Sequence, residues 1–131
     1  AKACNATVRF LTDDIRAPQH TKYRSGGYDF FVSNPPYVPE ADKQYMHCNV
    51  LEHEPEIALF VPDNQALIYY QAMTGFAQKM LKPDGLLFLE IHEQKGEEIR
   101  ELLARNGFWN TQIITDLNGK QRMIRSEKKQ P

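Results

Sequence analysis

The chain has 131 residues, 41% of them hydrophobic, which suits one globular domain with a single core. Sixteen Lys and Arg against 17 Asp and Glu leave a formal net charge of -1, so the chain as a whole offers no electrostatic footprint for nucleic acid or anionic lipid. No stretch approaches the roughly 20 apolar residues that span a bilayer, and residues 1 to 20 hold no signal-peptide core, which predicts a soluble, cytoplasmic protein.

Residues 7 to 11, TVRFL, are β-branched and aromatic and run into Asp13-Asp14, which predicts a short strand ending in a turn. Arg16 to Gly27 is polar, holds Pro18, Gly26 and Gly27, and reads as a loop. YDFFVS (28 to 33) is nearly all apolar beyond Asp29, the pattern of a strand buried on both faces of a parallel sheet, and it stops at Asn34-Pro35-Pro36-Tyr37. Val38 to Asp63 holds Pro39, Pro55 and Pro62 without a sustained period, a long irregular connection of the sort that carries function. Cys4 and Cys48 make no CxxC pair and read as free thiols, and His20, His47, His53 and His92 match no zinc spacing, so no metal is expected.

A helix is predicted with Asp63 as its N-cap, because Ala66, Tyr70, Met73, Ala77 and Met80 recur at steps of four and three. Pro83-Asp84-Gly85 should end it, with the glycine free to take positive φ, and GLLFLEI (85 to 91) follows as a second buried strand. Residues 97 to 106 place Ile99, Leu102 and Leu103 on one helical face, with Glu97 and Glu98 at the positive end, Glu101 and Arg105 able to pair, and Gly107 as the stop. FWNTQIIT (108 to 115) and RMIR (122 to 125) form a predicted hairpin about Asn118-Gly119. Arg122, Arg125, Lys128 and Lys129 read as a basic, solvated tail. The order is that of an α/β sheet with a C-terminal antiparallel hairpin.

The chemistry centres on residues 34 to 37. In open parallel sheets ligands bind beyond the carboxyl ends of the strands, which is where this tetrapeptide must lie. Asn34 offers a side-chain carbonyl, Pro35 and Pro36 keep their own carbonyls free while lacking N–H groups, and Tyr37 adds a flat ring. Together they suit a planar NH2: two N–H bonds accepted by the Asn34 side chain and the Pro35 carbonyl, and one face covered by Tyr37. Such a nitrogen is a poor nucleophile, so catalysis must come from fixing its lone pair toward an electrophile about 3 to 3.5 Å away, without a strong base.

DFFVS followed directly by NPPY resembles the amino-group methyltransferases that use S-adenosylmethionine. The resemblance extends through VRFLTDD (8 to 14), VSNPPYVPEAD (32 to 42), HEPEIALFVPDN (53 to 64), GLLFLEIHEQKGEEI (85 to 99) and DLNGKQR (116 to 122), and so picks out the peptide-chain release factor glutamine methyltransferases, also called HemK-like. It implies a partial Rossmann-like methyltransferase sheet and, as methyl acceptor, the side-chain amide of the glutamine in the Gly-Gly-Gln loop of release factors. Asn34 and the Pro35 carbonyl would bind that amide, Pro36 would shape the loop, and Tyr37 would pack on the amide plane. Asp14 and Ile15 match positions flanking the adenine of S-adenosylmethionine, with Asn34 beside the donor, although an acid at Asp14 can also be an ordinary loop residue.

The same resemblance marks what departs from the family pattern. The seven glycines, Gly26, Gly27, Gly75, Gly85, Gly96, Gly107 and Gly119, form no GxGxG after a strand, and the family's first two strands and N-terminal helical domain have no counterpart. Residues 1 to 131 are therefore expected to be the C-terminal portion of a catalytic domain, inactive alone, with an apolar sheet edge along 28 to 33 that favours self-association. Glu54-Pro55 reads as a brace of the catalytic loop or a solvated turn. Glu90 reads as facing the donor or as satisfied by local backbone N–H groups, and His92 and Arg122 carry no assignment. The other function classes are a DNA or RNA adenine methyltransferase, which calls for a basic groove, and an inactive release-factor-binding module.

Overall fold

The computed structural model describes residues 6–46 and 53–130. Cys4, His47 and Cys48 lie outside the described residues. The elements run β1 (Tyr28–Ser33), β2 (Val38–Pro39), a 3-10 turn (Glu40–Tyr45), α1 (Glu56–Leu59), β3 (Phe60–Val61), a second 3-10 turn (Asp63–Gln65), α2 (Ile68–Met80), β4 (Leu81–Glu90), α3 (Gly96–Arg105), β5 (Phe108–Thr115) and β6 (Gln121–Lys128). Four strands make one mixed sheet in the order β1-β4-β6-β5, and β2 and β3 form a small separate ladder.

β1 and β4 run parallel, pairing Phe31 with Leu87, Val32 with Phe88 and Ser33 with Leu89. Parallel neighbours need a crossover connection, and α2 supplies it. β6 then lies antiparallel to both β4 and β5, as Asn118-Gly119 implied, with Gly119 at φ 77. Alternation along β4 sends Leu87 and Leu89 to one face, where Tyr70, Met73 and Ala77 of α2 and Ile99 and Leu103 of α3 meet them together with Ile124 of β6. These side chains are at most 2% exposed and form the core. The Glu101–Arg105 pair forms on the solvent side at 2.9 Å, and Gly107 ends α3 at φ 81.

Five expectations change. Residues 7 to 11 form no strand; among the described residues they exchange no ladder hydrogen bonds, and a strand exists only as one side of a pair. β1 forms as expected but is not buried on both faces: Phe30 and Val32 are 62% and 74% exposed, since both helices cover the opposite face and β1 is the sheet edge. Asp63 is not the N-cap of α2. It opens a 3-10 turn, and its carboxylate instead accepts the Ala41 N–H at 2.9 Å. Pro83-Asp84-Gly85 does not terminate the helix, which stops at Met80; it forms an irregularity inside β4, where Asp84 rather than Gly85 takes positive φ, at 61°. The basic residues Arg122, Arg125 and Lys128 are no tail but part of β6, where Arg125 pairs with Glu127 at 2.7 Å and the Lys128 ammonium donates to the Leu81 carbonyl at 2.7 Å.

Thr74 sits on the buried face of α2, and its hydroxyl finds no hydrogen-bond partner among the described residues. An orphaned buried hydroxyl costs about 1 to 3 kcal/mol, while Val fills the same volume without it. Thr74→Val is therefore expected to stabilise the fold by about 1 kcal/mol. Urea denaturation checks this, and a lower midpoint in the variant would show that the hydroxyl is satisfied.

Candidate active site

The parallel register brings β1 and β4 to the same level, so the residues that follow Ser33 and Leu89 leave the sheet side by side. From β1 emerge Asn34, Pro35, Pro36 and Tyr37; from β4 comes Glu90, its last residue. Two prolines in sequence hold the backbone extended and donate nothing, which carries the chain off the sheet rather than along it. Pro35 is buried, Asn34 is exposed, and Pro36 and Tyr37 lie between these limits.

Asn34 shares a cavity of about 200 Å3 with Val32, Phe88, Glu90, Ile114 and Met123. Glu90 and Asn34 are its polar side chains beside Ser33, against otherwise apolar walls. On the other side of Glu90 stands Tyr37, whose hydroxyl donates to Glu90 Oε1 at 2.7 Å. Glu90 is thus satisfied by a tyrosine 53 residues earlier rather than by local backbone N–H groups. Its carbonyl in turn accepts the Tyr70 hydroxyl at 3.1 Å, which ties the end of β4 to the core. Tyr37 also meets the edge of the His92 ring, with centroids 6.2 Å apart and planes at 78°.

Beyond Tyr37 opens a polar groove of about 460 Å3 that includes Asp42, Tyr45, His92, Glu93 and Arg122. His92 Nδ1 accepts the Gln94 N–H at 3.2 Å, and its Nε2 lies 3.9 Å from Asp42 Oδ2. Arg122 reaches Asp116 at 3.4 Å, and Lys120 reaches Glu93 at 2.8 Å.

The segment after the tetrapeptide is braced by pairings between residues distant in sequence. Val38 and Pro39 pair with Phe60 and Val61, Asp63 holds the Ala41 N–H, and the Lys43 ammonium pairs with Glu56 while lying 5.4 Å from the centre of the Phe60 ring. Glu54 is exposed and Pro55 precedes α1, its carbonyl accepting the Ala58 N–H at 2.9 Å, so Glu56 and Asp63 make the bracing contacts.

Asp14 and Ile15 are placed elsewhere. The Arg16 side chain grips both Asp14 oxygens, at 3.1 and 2.8 Å, and holds that carboxyl below its ordinary range. Asp13 accepts the backbone N–H groups of His20 and Gln19, which folds the loop back on itself and lowers its own pKa. Ile15 packs against the core and lines a groove of about 510 Å3 with Arg16, His20, Tyr23, Gln71 and Phe76, a different cavity from that of Asn34.

Similarity to known proteins bears on these residues. No family model matches the chain. It is 45% identical over 98 residues to a release factor glutamine methyltransferase of Flavobacterium psychrophilum, a match that covers 75% of this chain and 34% of that protein. A second release factor glutamine methyltransferase, from Bacteroides thetaiotaomicron, is 37% identical over 120 residues, 92% of this chain and 42% of that one. The chain belongs to the release factor glutamine methyltransferase family. It spans less than half the length of these two relatives. In fold it is also similar to a solved structure described as a possible exported protein of Bordetella parapertussis, with a TM-score of 0.52 over 90% of this chain and 43% of that one at 12% identity. The family accounts for a methyl donor, and among the described residues no helix is long and apolar enough to cross a membrane.

Burial, reinforced by the bond to Glu90, raises the Tyr37 pKa above 10, and burial also pushes the Tyr70 hydroxyl well up. A pKa raised on folding means that the folded state holds its proton more tightly. The stability from both groups is fully present below the unfolded tyrosine pKa, about 10, and is lost as pH rises through the folded values. Alkaline unfolding of the wild type should therefore begin above about pH 10, and Tyr37→Phe should make it shallower. Denaturation midpoints measured across that range test this; an unchanged slope in the variant would show that Tyr37 is not protected.

Proposed function

We propose that the complete protein containing this chain transfers a methyl group from S-adenosylmethionine to the side-chain amide nitrogen of the glutamine in the Gly-Gly-Gln loop of peptide-chain release factors. The observation that carries this reading is the placing of Asn34, Pro35 and Tyr37 together at the carboxyl end of a strand in a parallel pair, with the Tyr37 hydroxyl held by Glu90. Asn34 Oδ1 and the Pro35 carbonyl are acceptors for the two amide hydrogens, Pro36 sets the path of the backbone, and the Tyr37 ring covers one face of the amide plane. Accepting both N–H bonds raises the electron density on nitrogen and fixes its lone pair toward the other face, where catalysis by position replaces a strong base.

S-adenosylmethionine would supply the electrophilic methyl group, and the amide nitrogen, cationic once methylated, would lose one N–H proton to water or a nearby carbonyl. The described residues do not by themselves fit it: the cavity at Asn34, about 200 Å3, falls below the 300 to 1,000 Å3 usual for a ligand of that size, and Asp14 and Ile15 line no part of it. Flanking of the adenine by Asp14 and Ile15 is accordingly proposed for the complete protein only, with this chain as the C-terminal portion of its catalytic domain. Asp14 would then exchange its Arg16 partner for the donor. The chain on its own is proposed to bind the donor weakly and to self-associate along the exposed edge of β1. A nucleic-acid adenine would present the same planar NH2, but the net charge of -1 argues for the protein substrate.

In the complete protein Asn34→Ala should lower glutamine methylation by at least about a hundredfold with donor affinity nearly unchanged, because Asn34 is exposed and orients the acceptor rather than supporting the core. Steady-state rates on a release factor, with donor affinity from calorimetry, provide the test. Full activity in the variant would sink the acceptor reading. For the 131-residue chain, light scattering should find species larger than a monomer, and a well-behaved monomer with micromolar donor affinity would refute the account of its donor site.

A further inference from the structure

From the geometry at the end of β4 we infer that Glu90 is a positioning residue for methyl transfer: its carboxyl holds the Tyr37 ring in the one orientation that covers the acceptor amide. The inference rests on the reading of residues 34 to 37 given above and adds to it a residue outside that tetrapeptide.

A tyrosine ring that stacks on an amide must be fixed in two ways, at its backbone and about its side-chain torsions. The backbone is fixed locally, by Pro35 and Pro36 before the ring and by the pairing of Val38 with Phe60 after it. These contacts leave the ring free to change rotamer, and Tyr37 is only half-buried. The ring meets the edge of His92 and packs on the core, contacts without direction, and its hydroxyl is the directional handle: Glu90 Oε1 accepts from it at 2.7 Å. The backbone that carries this acceptor is anchored. Glu90 pairs with Met123 in the sheet, and its carbonyl takes the hydroxyl of Tyr70, a side chain with no exposed surface. A chain of contacts thus runs from the core through Tyr70 and Glu90 to the Tyr37 ring.

The location of Glu90 strengthens the case. Its side chain lines the cavity that Asn34 lines, so one residue touches both the space beside the amide-binding side chain and the ring proposed to cover the amide. A carboxyl beside apolar Val32, Phe88, Ile114 and Met123 is costly unless hydrogen-bonded, and Tyr37 supplies the bond. Removing either partner should release the same ring. Misplacement by about 1 Å is enough to cost up to about a hundredfold in rate where catalysis depends on position.

The test compares release factor methylation by the complete wild-type protein, Tyr37→Phe, Glu90→Ala, Glu90→Gln and the double variant Tyr37→Phe with Glu90→Ala. Each of the first two single changes should lower kcat by about tenfold or more while KM for the release factor moves less than about threefold. The double variant should be no slower than the slower single variant, since both break one bond. Glu90→Gln keeps a carbonyl acceptor and should recover most of kcat, which a residue needed only for folding would not require. Should Glu90→Ala fail to fold, Tyr37→Phe removes a single oxygen atom and decides alone: kcat within about twofold of wild type overturns the inference. Effects that multiply in the double variant, or losses confined to KM, overturn it as well. If Asn34→Ala stays fully active, the acceptor reading itself falls and takes this inference with it; an inactive Asn34→Ala beside a fully active Tyr37→Phe rejects Glu90 alone.

Discussion

The parallel pairing of β1 with β4 is the constraint on which the rest of the structure depends. Because Ser33 stands beside Leu89, the next residues of the two strands leave the sheet together, and chain segments more than 50 positions apart meet at one place. An antiparallel pair would have put the start of one strand beside the end of the other. Parallel pairing also demands a crossover, so α2 must pass over one face, and that face becomes the core. What emerges at the carboxyl ends is a small set of acceptors and one aromatic ring, held against a packed interior.

The long segment between β1 and α2 serves the same end. Its stiffness comes from a two-residue ladder, an ion pair and one carboxylate on a backbone N–H, all of which close on the stretch that follows Tyr37. Surface ion pairs contribute little to stability, and Lys43 and Glu56 are both well exposed. Their value lies in limiting where the chain after the tetrapeptide can go, which is a constraint on geometry more than a source of free energy.

Local information was enough for α3 and for the β5–β6 hairpin, since an apolar stripe, Gly107 and the Asn118-Gly119 turn act over a few residues. Tertiary information was required elsewhere. Residues 7 to 11 have strand composition but no partner among the described residues, and YDFFVS, at an edge as the family pattern implied, has the composition of a doubly buried strand yet leaves one face open. The place of Asn34 through Tyr37, directly past the end of β1, was legible because a strand followed by two prolines announces its own end. The bond from Tyr37 to Glu90 was not legible, because nothing near either residue names the other. The same holds for Asp63, an excellent N-cap by type that the fold uses on Ala41 instead.

The central claim is that the tip of β1 accepts the amide of a glutamine in a folded protein. It is tested most directly by incubating the complete protein with isotopically methyl-labelled S-adenosylmethionine and an equimolar mixture of a release factor and a DNA duplex, then locating the label by peptide and nucleoside mass spectrometry. The account predicts one labelled methyl on the side-chain nitrogen of the glutamine in the Gly-Gly-Gln loop and none on the duplex. Label on adenine, or on the release factor at any other residue, would contradict it.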